Sequence, residues 1–563
     1  MPRPPSPPRQ PKARPSFRRK LAYLAILCCV GLLLLLVAEF ALRAFVPPPA
    51  DPFLHLQGRT TVFSEVVEDG QRLFKITHPS AYRDANTSVE VEKPRGTLRV
   101  FCLGGSASAG WPHPKDQTFP AYLEAALQRA LPSNRVQVVN AGAHAFASYR
   151  VRMIFDQIVD LAPDLIVVWC GNNEFIEKRS YFVGALADLV RGIERHSRVA
   201  QVVLGALRDA LQPDNRLDAE GGVDQAYHTW THTEQVALEL RRDPAQFAAV
   251  NAHYTHSIEH MVTVAGQRGV PIVLLTVPSN LRDWRPNVSI TETTSGAGYE
   301  AWRTVFLAAR GARLSGDLDR AIIGYEDALR REPQHADSWF ELGRCFEASD
   351  RDDDARRAYL AAKDADANPF RALTTTNEIV RAIASRHPGT TLVDAEAAMQ
   401  AATKLPAPGF DLFLDYVHPT RAGNLVIAKA VHDAILSLRL LPGGDATSAF
   451  APPDGREYSD ANDVNVQGTL LALFSTMHQY ESFVAKVDEF DALGRRLGVT
   501  FPAPIVEFLA ECRARFTEYL VAERAEALGE PHDREFREKH RAFYREGFGR
   551  IAQLRGQTQE PGK

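Results

Sequence analysis

Five short apolar runs, each closing on a glycine, asparagine, proline or aspartate, constrain this chain more than any other feature. They are Leu98 to Leu103, Val136 to Val139, Leu165 to Trp169, Pro271 to Val277 and Thr391 to Val393. Runs this short and this rich in β-branched and aliphatic residues predict strands. Helical stretches between them predict an α/β chain built on a parallel sheet with helices on its faces. In an open parallel sheet the carboxyl ends of the strands build the binding crevice, so chemistry is expected in the loops just past these runs.

The N-terminus carries a second strong signal. Met1 to Lys20 holds seven basic residues, seven prolines and no acidic residue, the composition of a disordered cationic tail. The next 18 residues, Leu21 to Ala38, contain no charge. As a helix they span about 27 Å, close to a bilayer core, and Phe40 to Phe45 extend the span. The basic flank predicts that the tail stays in the cytoplasm and that everything after Arg43 crosses to the periplasmic or extracellular side, at a bacterial inner membrane. A cleaved signal peptide is the competing reading, but no small-x-small cleavage site precedes Pro47-Pro48-Pro49.

At 563 residues the chain exceeds what one core organises. The expected division is a tail over 1–20, a transmembrane helix over 21–45 and a linker segment over 46–95. The α/β core follows over 96–300, resumes over 371–441 and gives way to a helical C-terminal region over 442–563. Two insertions interrupt that core. The first, 175–260, is amphipathic in stretches such as Gly184 to Arg208 and is expected to cap the crevice. In the second, 301–370, Ala321, Tyr325 and Ala328 recur as Ala355, Tyr359 and Ala362, each 34 residues later. That is the tetratricopeptide period, and Trp339-x-x-Leu342-Gly343-x-x-Phe346 matches the start of its pattern. A pair of such repeats predicts a protein partner at 301–370; a coincidental helical hairpin is the plainer alternative.

Four loops hold the residue types that chemistry needs. Gly104-Gly105-Ser106 follows the first run, where small residues permit a tight turn that presents a hydroxyl. Asn140-Ala141-Gly142 follows the second and Gly171-Asn172-Asn173-Glu174 the third. Asp415-Tyr416-Val417-His418 precedes the helical pattern of Ala422 to Leu438. Singly, each is explained by turn chemistry or by a surface Asp/His pair.

Together and in this order they resemble the SGNH (GDSL-like) hydrolases. The four marker residues of that family, Ser, Gly, Asn and His, match Ser106, Gly142, Asn173 and His418, with Asp415 in its Asp-x-x-His. The resemblance covers about Leu98 to Val277 and Thr391 to Leu438. It implies a flavodoxin-like three-layer parallel sheet and hydrolysis of ester bonds in an acylated small molecule or glycan, with no cofactor. One residue departs from the pattern: Gly105 stands where the family's Gly-Asp-Ser opening has its acid. By the resemblance, Ser106 is the nucleophile and His418 its base. A serine hydroxyl needs such a base at neutral pH. Asp415 then holds the imidazole tautomer, as acids do in such triads. The backbone N–H groups of Ser106 and Gly142 and the amide of Asn173 are expected to form the oxyanion hole.

Other classes fit less well. The net charge of −4, with the basic excess confined to the N-terminus, gives no basis for nucleic-acid binding. Cys28 and Cys29 fall in the apolar run, and Cys102, Cys170, Cys345 and Cys512 are scattered, so free thiols are expected rather than disulfides or metal ligands. His253 with His256, and His228 with His232, lack companion ligands at useful spacing. Two alternatives to a hydrolase stay open: an O-acyltransferase acting on envelope polysaccharide, and an inactive tetratricopeptide scaffold.

Overall fold

The computed structural model describes residues 17–45, 63–76, 88–176, 193, 197–211, 241, 243–438, 449–451, 460–477, 479–498 and 503–530. Contacts divide the chain into two compact units, Met1–Gly58 with Phe182–Arg216, and Arg59–Tyr181 with Leu217–Lys563.

In the larger unit a five-stranded sheet forms from β4 (Thr97–Gly104), β5 (Arg135–Gly142), β6 (Leu165–Trp169), β7 (Ile272–Leu275) and β8 (Thr390–Val393). Its order is β5-β4-β6-β7-β8 and every pairing is parallel. Strand periodicity sorts the side chains onto two faces. Phe101, Leu103, Ile166, Val168, Ile272 and Leu274 pack on one side with the helices Ser148–Ile158, Pro244–Gln267 and Thr374–Arg386. Leu98, Val100, Cys102, Leu165, Val167, Val273 and Leu275 pack on the other, with Phe119–Ala130, Ala395–Ala402 and Arg421–Ser437. The result is the three-layer α/β architecture. Each fully buried aliphatic contributes about 1.5–3 kcal/mol, which is why strands only four or five residues long suffice.

Pro244–Gln267, expected within a cap, belongs to this core: Tyr254, Ile258, Met261, Val262 and Ala265 press its apolar stripe onto the sheet. Most of the remaining insertion lies outside the described residues, as do residues 1–16 of the tail, the proline linker, His228 and His232. Within the segment expected to be a linker, β1 (Phe63–Glu68), β2 (Gln71–Ile76) and β3 (Ser88–Glu90) form a separate antiparallel sheet. Its first turn is Asp69-Gly70, both at positive φ.

The 34-residue period falls on four helices, Gly296–Leu314, Leu318–Arg331, Ala336–Ala348 and Asp352–Ala365. Ala321, Tyr325 and Ala328 and their recurrences Ala355, Tyr359 and Ala362 are all buried in one cluster. Gly343 has no room for a Cβ, which would sit 2.8 Å from the Tyr359 ring. The C-terminal helix Ala503–Leu528 runs against the first of the four, with Glu523 paired to Arg310 at 2.7 Å and Glu526 to Arg303 at 2.5 Å.

In the smaller unit the helix Phe17–Phe45 contains a segment, Leu21–Phe45, with mean hydropathy 2.9, long and apolar enough to cross a membrane. It pairs with the helix Arg198–Leu211.

His335 caps the Ala336–Ala348 helix by accepting from the Ser338 N–H, and it is packed against Trp302 and Phe306. Burial pushes its imidazole from the ordinary 6.5 down to about 4, so the fold resists a proton that the unfolded chain accepts. The stability it contributes is therefore complete above pH 6.5 and is lost as pH falls toward 4, about 3 kcal/mol in full. Hydrogen exchange across residues 296–365, corrected for intrinsic rates, should lose protection over that interval. The substitution His335→Asn, which keeps a capping oxygen, should flatten the dependence.

Candidate active site

The carboxyl ends of β4, β5 and β6 meet at one edge of the sheet. β4 is flanked there by β5 on one side and β6 on the other, the reversal of strand order at which such sheets open a crevice. Gly104 pairs with both Gly142 and Trp169, which brings the first three candidate loops side by side.

Ser106 opens a single helical turn, Ser106–Ala109, directly after β4, with Gly105 as its extended N-cap and Gly110 at φ +84° as its left-handed C-cap. The first N–H groups of a helical turn have no acceptor within it, and that of Ser106 is one of them. The fourth loop arrives from 312 positions away: His418 Nε2 lies 2.8 Å from Ser106 Oγ. Its Nδ1 lies 2.6 Å from Asp415 Oδ2. A carboxylate only accepts, so Nδ1 carries the imidazole proton and Nε2 accepts from the serine hydroxyl. Asp415 is fully buried and its other oxygen accepts the backbone N–H groups of Val417 and His418, both at 2.8 Å. One carboxylate thus folds the loop and fixes the ring.

Several residues that the sequence did not single out hold this loop in place. Asn280 Nδ2 donates to the Asp415 carbonyl at 3.0 Å, and His113 Nε2 donates to that of Pro419 at 2.6 Å. Trp111, whose backbone N–H donates to the Ser106 carbonyl, lays its ring against the His418 imidazole with centroids 4.5 Å apart. On the far side Tyr416 packs on Trp284, and Trp284 on Phe474 of the C-terminal helix Asp460–Thr476. Burial beside Asp415 pushes the Tyr416 phenol well above its usual value, so it stays neutral. Burial likewise raises the Cys102 and Cys170 thiols, which removes them as competing nucleophiles. All six cysteines are free, and no group of metal-binding side chains occurs among the described residues.

Asn173 reaches the same place from the β6 loop. Its Nδ2 donates to the Phe146 carbonyl at 3.0 Å and lies where a Cβ on Gly105 would come within 2.5 Å. The amide thus fills the space beside Gly105, where the family pattern has an acid, and it keeps a second N–H. Buried Glu174, the next residue, anchors the loop by accepting from Ser148 N and Oγ at 2.7 and 2.9 Å.

Gly142 differs from expectation. Its N–H donates to Asn140 Oδ1 at 3.1 Å, so it is not presented as a free donor. What requires glycine is close approach: a Cβ there would sit 2.5 Å from Ala109 N and 2.8 Å from its Cα, in the turn that carries Ser106.

Residues 102–289 match the model of the GDSL-like lipase/acylhydrolase family. No curated protein matches the chain. Among solved structures, a GDSL-like lipase from Bacteroides thetaiotaomicron is 13% identical, with 61% of this chain and 89% of that one covered and a TM-score of 0.28. An acetylxylan esterase from Geobacillus stearothermophilus is also 13% identical, at 60% and 94% coverage and a TM-score of 0.29. An α/β hydrolase from the metagenome of Lake Arreo is 15% identical, at the same coverage and a TM-score of 0.28. The chain carries a GDSL-like lipase/acylhydrolase domain on a parallel α/β sheet, and it is an enzyme of the ester-hydrolysing class.

The steric reading of Gly142 separates from a donor role by one substitution. Gly142→Ala keeps the N–H but pushes on the Ser106 turn, and it should cost about 1–3 kcal/mol of stability. Thermal unfolding should shift down and reaction of Ser106 with a fluorophosphonate should slow. An unchanged rate would leave the donor role standing.

Proposed function

We propose that this protein is a membrane-anchored serine esterase that removes O-acyl groups through an acyl-Ser106 intermediate. The observation that carries the reading is the hydrogen-bonded chain from Ser106 Oγ through His418 to Asp415.

In the mechanism this supports, Ser106 Oγ attacks the ester carbonyl as its proton passes to His418 Nε2. The imidazolium is stabilised by Asp415. Charge on the tetrahedral oxygen falls to the Ser106 N–H and the second N–H of Asn173, donors fixed before the reaction begins. Collapse expels the alcohol, which takes the proton from Nε2 and leaves an acyl-serine. Water then attacks the acyl carbon, giving its proton to Nε2, and the carboxylate product departs as Ser106 recovers its hydrogen. A sugar hydroxyl in place of that water would make the same site an acyltransferase, and measuring acyl transfer to added glycan against release to water separates the two. The helix Leu21–Phe45 is the proposed anchor, with the hydrolase on the periplasmic or extracellular side.

The test uses the full chain in detergent. A fluorophosphonate should label wild type at Ser106, and Ser106→Ala should abolish both labelling and release of acetate from p-nitrophenyl acetate. Asn173→Ala should lower kcat by roughly 10²–10³ with a smaller change in KM. Asp415→Asn, which preserves the backbone contacts of the loop, should lower kcat by about 10⁴. Full turnover by Ser106→Ala would eliminate the mechanism.

A further inference from the structure

The Arg198–Leu211 helix begins on a side chain of the apolar N-terminal helix. Glu39 accepts from Ser197 Oγ at 2.9 Å, from Arg198 N at 2.9 Å and from Val199 N at 3.0 Å, while Arg43 Nε donates to it at 2.7 Å. The first N–H groups of a helix, normally left to solvent or to its own cap residue, are here satisfied by a carboxylate from another helix. Four donors on one carboxylate leave it only 15% exposed on its side chain and make it tolerable where water is scarce.

The position of that contact along the N-terminal helix is informative. Glu39 is the first charged residue after the uncharged run Leu21 to Ala38, one residue beyond a span of about 27 Å. If that run fills a bilayer core, Glu39 stands at the headgroup boundary and the Arg198–Leu211 helix starts there.

The sequence of this helix divides cleanly. Val199, Val202, Val203, Ala206, Leu207 and Ala210 recur at the three- and four-residue spacing of a single face. In the sequence, Arg198, Gln201, Gly205, Arg208 and Asp209 fall at the positions between. The N-terminal helix does not cover the apolar face, since Val202 is 46% and Val203 58% exposed. The N-terminal helix is likewise apolar and exposed, with Leu27 73% and Leu34 65% exposed. A helix with an apolar stripe, a basic polar face and a start at the headgroup level is suited to lie in the interface.

We propose that Arg198–Leu211 is an interfacial helix, latched to the membrane anchor by Glu39, with the Val199, Val202 and Val203 face in the lipid. The inference rests on the reading of the N-terminal helix as a membrane anchor whose uncharged run, Leu21 to Ala38, is the part that crosses. It gives the insertion in the hydrolase domain a job: the chain leaves the catalytic unit, touches the bilayer and returns, so the enzyme is held to its membrane at two points along the sequence.

The test reconstitutes the full chain, with Cys28→Ser and Cys29→Ser, into vesicles of phosphatidylcholine and phosphatidylglycerol. An environment-sensitive fluorophore is placed at Val203→Cys or, as the polar-face control, at Gln201→Cys. The proposal expects a blue-shifted emission at position 203, quenched by brominated lipid and shielded from aqueous iodide, with the reverse at 201. Glu39→Gln should weaken the lipid quenching at 203 while the protein stays in the vesicles after carbonate washing. Equal iodide access at 203 and 201 in carbonate-resistant protein would overturn the proposal and leave the anchor intact, as would shielding at 203 that depends on cross-linkable contact between copies. Release of the unlabelled protein by carbonate would instead sink the anchor reading.

Discussion

The active-site geometry depends on bringing the Asp415-to-Pro419 loop to a serine more than three hundred residues earlier. No local preference does this. The loop is folded on itself by Asp415, whose Oδ1 accepts two loop amides while Oδ2 meets the imidazole, then fastened from outside by Asn280 and His113. Because an unpaired buried carboxylate costs several kcal/mol, the acid is stable only where His418 and the loop amides meet it. The same interactions that make Asp415 affordable in the interior therefore set the direction of the imidazole.

The helical additions take part in this. Phe474 packs on Trp284 and Trp284 on Tyr416, so the C-terminal helices reach the residue between the acid and the base. Gln479 donates to the Arg285 carbonyl, and Arg285 pairs with Asp337 of the third repeat-region helix. Glu523 and Glu526 tie the last helix to Arg310 and Arg303. The C-terminal region is thus packed with the catalytic loop through Trp284, the four helices of the 34-residue period are tied to the adjoining Arg285, and one face of the first of them is taken by the chain itself. A protein partner for residues 301–370 remains a proposal that would have to use the surface left over.

Much of the fold was legible because its signals are local. Each of the five parallel strands announced itself as a short β-branched run with a breaker at its end, and the repeat period survived in alanines and tyrosines that later proved to be buried. The three-stranded sheet near the N-terminus was missed although its Asp69-Gly70 turn, flanked by runs with strand propensity, is a recognised hairpin signal. The Pro244–Gln267 helix overlaps the end of the insertion 175–260 that the sequence suggests as a cap, whereas the packing of Tyr254, Ile258 and Met261 places it in a core layer.

What the sequence by itself determined is the set of local chemistries: a hydroxyl on a glycine turn, an amide after a buried strand, an acid three residues from a histidine, and an apolar helix at the N-terminus. Tertiary structure alone decided which of these meet and which backbone groups are still free when they do. Gly142 shows the difference: glycine was readable, but its amide is spent on Asn140 and its missing Cβ is what the Ala109 backbone needs. Trp111 and Phe474 acquire meaning only through contacts with His418 and Trp284, since a side chain's role at a site is set by its neighbours in space, which the order of residues does not state.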